Sequence, residues 1–527
     1  MSTPRSTARN SATVAVCTLF SRVTGLLRVV VIGAVLGPTY LANSFQASYS
    51  VPNIVFTLIA GPVLAMVLVP AVVRALGAGA LPGARDVLAR VTGWLLLMSA
   101  VVVVLVMIAA PLVAWTLTLG IADPVTRARS QWLTTVLVLF VAPQIVLYCL
   151  ADLGMAAQRA LGRFALASAA PAVENLVQIG TVVLAGWYFG AGLDVDRAPL
   201  SMIVVLGVGC TAGVALHAGV QLFGAARVGL LVRPSRGWRD DPEAAAVTRR
   251  LARSVGVAAS PAAAMYVLLA IAGSVPGGVF VVQLSYAVLF ALSYVSARAV
   301  SMAALPGLAR AAHAGDTVKF GSAWREGAYY ALLSGTPLLV MLAVLAGPTA
   351  DLLANGELRG SAVIGPLAAC LAIVAVAQLI SGISDLGSQA LYARLDDRVP
   401  RQAALAAFGV KLAVAALSLT VPAGGARLVW LVAAIFAGEL ASAALVLVRL
   451  RRVMRPERFL EPRALGSVLL AGLAMVPVAV AVRWVQRSYG GGHLTDLGIL
   501  CAGGLVALAA YILVVRATAA GPIVRRS

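Results

Sequence analysis

Long apolar runs decide what this chain can fold into. Near residues 14–36, 45–73, 92–118, 133–150, 165–189, 200–226, 254–274, 279–306, 328–347, 361–384, 402–422, 428–448, 465–484 and 495–515, charge almost vanishes for the length of a run. About 20 helical residues cross a hydrocarbon core about 30 Å thick. Backbone groups inside that core have no water to bond, so each run predicts a helix that satisfies its own N–H and C=O groups. The fourteen runs therefore predict an all-α polytopic membrane protein with about 14 transmembrane helices. A soluble globule is excluded, because 61% of residues are hydrophobic and only 11% charged, against about 25% charged in soluble domains.

The formal charge of +20 would suggest a nucleic-acid partner in a soluble domain. Here the arginines lie between apolar runs, and no nucleic acid is expected. They cluster after the second, fourth, sixth and twelfth runs, at Arg74, Arg85 and Arg90, at Arg159 and Arg163, from Arg227 to Arg253, and from Arg449 to Arg463. These loops share one side, which positive-inside bias makes the cytoplasm. An even number of spans then places both termini there. The five cysteines fall inside apolar runs without close pairing, so neither a disulfide framework nor a metal site is expected. Arg22 interrupts the first apolar run and no cleavage site precedes it, which predicts a retained first helix rather than a signal peptide.

Two phrases repeat. ADLGMAAQRALGR at 151–163 aligns with SDLGSQALYARLD at 384–396 at an offset of 233 residues, and LVPAVVRAL at 68–76 aligns with ALPGLARAA at 304–312 at an offset of 236. The shared offset predicts a duplication. Both copies end on the same face, so the repeat is parallel, with an axis along the membrane normal and a central cavity expected between the halves. The organisation expected is a six-helix half at 1–226, a basic cytoplasmic linker at 227–253, a second six-helix half at 254–450 and two extra transmembrane helices at 451–527.

A charge at mid-membrane costs about 2.5–3.5 kcal/mol on insertion scales, so each one needs a reason. Arg22 and Arg28 share the first run. Six residues place them about 9 Å apart along a helix and about 120° around it, where they can flank a wide cleft. Arg22 can also snorkel to the headgroups. Arg28 lies deeper, and a guanidinium facing a cavity suits phosphate or pyrophosphate, which it grips with parallel hydrogen bonds. Glu174, Asn175, His217, Arg298, Lys411 and Glu439 also lie in apolar runs. Glu174 reads either as a cation or proton site or as a structural partner for an arginine, Glu439 as a second such site, and His217 as a satisfied packing residue. No phosphate-binding glycine loop, nucleophile elbow or zinc-helix motif occurs, and the loops are too short for a nucleotide-hydrolysing domain. A transporter is expected rather than an enzyme, without a cofactor, driven by a sodium or proton gradient, by membrane potential or by consumption of product.

SRVTGLLRVVVIGAVLG at 21–37, FQASYSVPNI at 45–54 and Val69-Pro70 resemble the opening of the MurJ/MviN lipid II flippases of the multidrug/oligosaccharidyl-lipid/polysaccharide exporter superfamily. LGRFALASAAPAVENL at 161–176 and ALYARLDDRVP at 390–400 are similar to two further segments of that family. The resemblance implies fourteen spans in two six-span halves, a bacterial plasma membrane, and movement of a polyprenyl-pyrophosphate-linked cell-wall precursor to the outer leaflet. Its partners would be that lipid-linked glycan, membrane lipids and cell-wall synthesis proteins. Ser21, Arg22, Arg28, Asn53 and Arg298 would meet the substrate. The chain departs from the pattern where Asn43 replaces an expected acid and Ala287 an expected arginine, with Arg298 three turns later. A flippase for another polyprenyl-linked oligosaccharide, or a cation-coupled drug exporter switched by Glu174, is the alternative.

Overall fold

The computed structural model describes residues 4–59, 61–77, 81–455 and 458–518. The termini expected in the cytoplasm, at 1–3 and 519–527, lie outside the described residues. Two compact units divide between Phe280 and Val281. The first holds α1 (Pro4–Leu36), α2 (Tyr40–Ile59), α3 (Gly61–Gly77), α4 (Leu81–Ile108), α5 (Ala110–Thr118), α6 (Pro124–Val141), α7 (Gln144–Ala160), α8 (Ala165–Phe189), α9 (Leu200–Arg227) and α10 (Pro242–Ala272). The second holds α11 (Gly278–Val295), which begins at the boundary, α12 (Ala297–His313), α13 (Thr317–Val344), α14 (Ala346–Leu353), α15 (Ile364–Ala393), α16 (Arg398–Leu417), α17 (Gly425–Val453), α18 (Pro462–Tyr489) and α19 (His493–Thr518).

Apolar side chains point outward as well as inward. On α4, Leu97, Val101, Val104, Leu105 and Ile108 form an exposed stripe at helical spacing, the arrangement expected where lipid rather than water is the solvent. Among the described residues, twelve helical stretches are long and apolar enough to cross a membrane. By this measure the expected count of fourteen is not reached, and the second and seventh runs account for the difference. The second run holds α2 and α3, and α2 is too polar to count, with Asn43, Ser44, Gln46 and Ser48 buried in protein instead of facing lipid. The seventh lies in α10, where Ser260–Ala272 forms a shorter apolar helix. The eighth run is also interrupted: Ser296 (φ −98, ψ −101) separates α11 from α12.

Contacts and ancestry draw the internal boundary differently. α10 packs on α2, α3 and α4 and so belongs to the first unit, and because it starts at Pro242 it takes in the last part, 242–253, of the expected linker at 227–253. Nor is that linker a free tether. Arg85 Nε donates to the Gly229 carbonyl at 2.7 Å, Arg90 Nη1 to that of Gly237 at 3.0 Å, and Arg74 pairs with Glu243 at 3.1 Å.

One corner of the fold occurs twice at the offset of 233. α7 ends at Ala160 and α15 at Ala393; α8 starts at Ala165 and α16 at Arg398. Each first helix closes in the same way, with Gly162 N–H on the Arg159 carbonyl and Arg163 N–H on that of Gln158, and with Leu395 on Tyr392 and Asp396 on Leu391. This is a left-handed helix cap. Gly162 takes it at φ 71° and Leu395 at φ 61°, the latter a conformation that a branched side chain disfavours.

Candidate functional site

In the first unit, α1, α2, α7, α8 and α9 bring polar side chains together around one carboxylate. Glu174 Oε1 accepts from Tyr49 OH at 2.7 Å, Tyr148 OH at 2.9 Å and Gln178 Nε2 at 3.4 Å. Its Oε2 lies 2.9 Å from His217 Nδ1. A carboxylate offers only lone pairs, so the proton sits on Nδ1 of the histidine. Glu174 and His217 side chains are 8% and 11% exposed, so these bonds replace water almost completely. The charge of Glu174 is thus held by four donors in a setting where an unpaired one would be expelled.

Arg28 joins the cluster through intermediaries. Its Nη1 donates to Tyr49 OH at 2.9 Å, Asn175 Oδ1 at 3.1 Å and Gln178 Oε1 at 3.2 Å. Tyr49 and Gln178 each bond both Arg28 and Glu174, so two bridges carry the attraction between the charges. The guanidinium also lies 5.0 Å from the Tyr49 ring centroid, within cation–π range. Asn175 Nδ2 in turn donates to the Ser21 carbonyl at 3.2 Å and Thr24 Oγ1 at 3.1 Å, tying α8 to α1. All three Arg28 hydrogen bonds leave from one nitrogen, and its buried Nε has no partner.

The sequence candidates separate accordingly. Arg28 and Glu174 meet in this cluster, while Ser21 contributes a carbonyl. Arg22 is exposed. Asn53 is exposed too, and its carbonyl accepts from Thr57. Arg298 and Glu439 belong to the second unit. There Arg298 stacks on Tyr294 at 4.9 Å and Phe290 at 5.6 Å, and Glu439 pairs with Lys411 at 2.9 Å. Gly438 makes that pair possible, since any Cβ there would run into the Lys411 stem. His217, read from sequence as packing, is a direct partner of Glu174. Tyr49, Tyr148 and Gln178 were not singled out from sequence; Gln178, one turn after Glu174 on the same face, carried the one usable signal.

Asn43 has a structural reason to be an amide. Its Nδ2 donates to the carbonyls of Val275 at 2.7 Å and Gly273 at 3.4 Å, and its Oδ1 accepts from the Val279 N–H at 3.1 Å. A carboxylate could accept from Val279 but would oppose both carbonyls.

Helical units with buried ionic clusters inside apolar spans define a multi-pass membrane protein, and its fold is also found in transporters of the MOP superfamily. The chain is similar to a multidrug resistance MATE family transporter of that superfamily in its inward-facing conformation, with a TM-score of 0.63, 17% identity and coverage of 83% of this chain and 94% of the other. It is similar over more of its length to a lipid II flippase MurJ in the inward closed conformation, with a TM-score of 0.75, 14% identity and coverage of 95% and 98%. The chain belongs to the lipid II flippase MurJ family, whose profile matches residues 32–493. Ser21, Arg22 and Arg28 precede that match. Among curated relatives, a probable lipid II flippase MurJ of Vibrio cholerae serotype O1 is 28% identical over 233 residues, 43% of this chain and 42% of the relative. One of Rhizobium tropici is 30% identical over 180 residues, 34% of this chain and 33% of the relative. The chain thus covers less than half the length of these curated relatives.

Proposed function

We propose that this protein carries a polyprenyl-pyrophosphate-linked cell-wall precursor of the lipid II type from the inner to the outer leaflet of a bacterial plasma membrane, by alternating access and without catalysis. Both termini lie in the cytoplasm, and the six-span halves at 1–226 and 254–450 supply the moving parts. Family membership supports the cargo class. The observation that carries the reading is Arg28: inside a span, its Nη1 is anchored by three side chains while its buried Nε has no partner among the described residues. Such a group is preorganised for an anionic headgroup. Arg22, Ser21 and Asn53 serve the same headgroup, and Arg298 is a further substrate-binding residue.

Coupling runs through Glu174. Every hydrogen bond to this carboxylate comes from a neutral donor or from His217, an arrangement that favours exchange of a proton over capture of a hard cation, which needs several free oxygen ligands. Glu439, already paired with Lys411, is the second proton site. The test is depletion of the protein in its native cell, with measurement of the lipid-linked precursor on the inner leaflet and rescue by variants. Arg28→Ala is expected to leave the precursor accumulated and Arg28→Lys to rescue in part. Full rescue by the alanine variant refutes the role of Arg28.

A further inference from the structure

The duplicated corner diverges in charge, and the divergence leaves an open site. In the second unit, Asp396 follows the left-handed cap and accepts from Arg449 Nε of α17 at 2.9 Å. In the first unit the residue at the equivalent position is Arg163, and the arginine closing α9 is Arg227. An acid thus meets a base in the second unit, whereas in the first unit a base stands at the acid's position and Arg227 ends the neighbouring helix. Among the described residues, neither the Arg163 nor the Arg227 side chain has a hydrogen-bond or ion-pair partner; Arg227 lies 4.5 Å over the Phe223 ring.

Both arginines line a cavity of about 500 Å³ formed by the end of α7, the start of α8 and the end of α9. The first turn of α8 opens into it at Phe164, Ala165 and Leu166, and no side chain caps that turn. Uncapped N–H groups at a helix start attract anions. The inner wall is fixed: Gln158 Nε2 donates to Gln221 Oε1 at 2.7 Å, and Gln221 Nε2 to the Ala167 carbonyl at 3.1 Å. Leu161 and Phe223 beside it are exposed, at 38% and 54%, as suits acyl chains next to a headgroup.

We propose that this corner binds the phosphate of an anionic phospholipid, with Arg163, Arg227 and the start of α8 as its ligands. The site lies within the first unit and does not depend on the cargo proposed above. An internal ion pair fills the corresponding corner of the second unit, so the repeat supplies its own control. Arg163→Asp places the acid of that corner at the equivalent position of the first unit, in the cavity that Arg227 also lines.

The test uses the full chain, purified with mixed phosphatidylglycerol and phosphatidylcholine and examined by native mass spectrometry. The intact protein is expected to retain phosphatidylglycerol preferentially. Arg163→Asp should cut that preference at least about fivefold, the weight of one basic residue at an anionic lipid surface. Arg250→Asp, the same charge change outside the cavity, should leave it in place. Equal retention by Arg163→Asp and the unaltered chain overturns the proposal. So does an unaltered chain that shows no phosphatidylglycerol preference but binds inorganic phosphate in an Arg163-dependent way, because the ligand is then a free anion and not a lipid.

Discussion

The two units solve the same problem, a charge inside an apolar span, with different economy. In the first, Glu174 engages residues from four other positions on four helices, its own included, and Arg28 is bridged to it through Tyr49 and Gln178. In the second, Lys411 and Glu439 close on each other directly at 2.9 Å and stay partly exposed, at 17% and 22%. The sites are related: Gln178 and Lys411 stand at the same offset of 233 that relates the two corners. Duplication kept the backbone and let the side chains part. A direct pair neutralises itself, whereas a bridged pair keeps guanidinium nitrogens available.

Substituting the hub should have the largest effect. Glu174→Gln keeps the shape but leaves Arg28 without a counter-charge, and should lower stability by about 3 kcal/mol or more, read as detergent-solubilised thermal unfolding. Lys411→Met should cost less, about 1–2 kcal/mol, because that pair is only partly buried. A larger loss at Lys411 than at Glu174 would invert the comparison. Between the two corners, Leu395→Gly relieves a left-handed leucine whose side chain is 91% exposed and should stabilise by about 0.5 kcal/mol, while Gly162→Leu should destabilise by a similar amount. Equal signs would show that the caps are not equivalent.

The smallest effect is that of pH at two helix starts. Asp123, bonded by the Thr126 side chain and N–H, and Asp316, bonded by the Lys319 N–H and then its side chain, are both held below the usual carboxylate range. Their contribution is present above about pH 4 and is lost as pH falls through the lower folded value. Backbone amide exchange at Thr126 and Lys319 should rise in acid, and Asp123→Asn or Asp316→Asn should remove the dependence.

Much of this was legible in sequence. Apolar run length gave the spans because a helix in lipid needs nothing from its neighbours to satisfy its backbone. The second run did not count as a span for the opposite reason: α2 spends its polar residues on partners that only the fold reveals. The offset of 233 was readable because a helix cap is local chemistry, and Gly162 with its neighbours repeats it. The ionic cluster was half legible. Arg28 and Glu174 stood out as charges in apolar runs, but Tyr49, Tyr148 and His217 are ordinary until helices distant in sequence bring them to one oxygen pair. Asn43 looked like a lost acid and is a donor to two carbonyls.

That amide also sets a timetable. Asn43 accepts from Val279 across 236 residues, so at about 5–20 residues per second of synthesis this partner reaches it roughly 10–50 seconds after it emerges. Until then the start of α2 waits in the translocon's company with unmet donors, and a nascent chain halted before residue 279 carries an open latch for quality control to find.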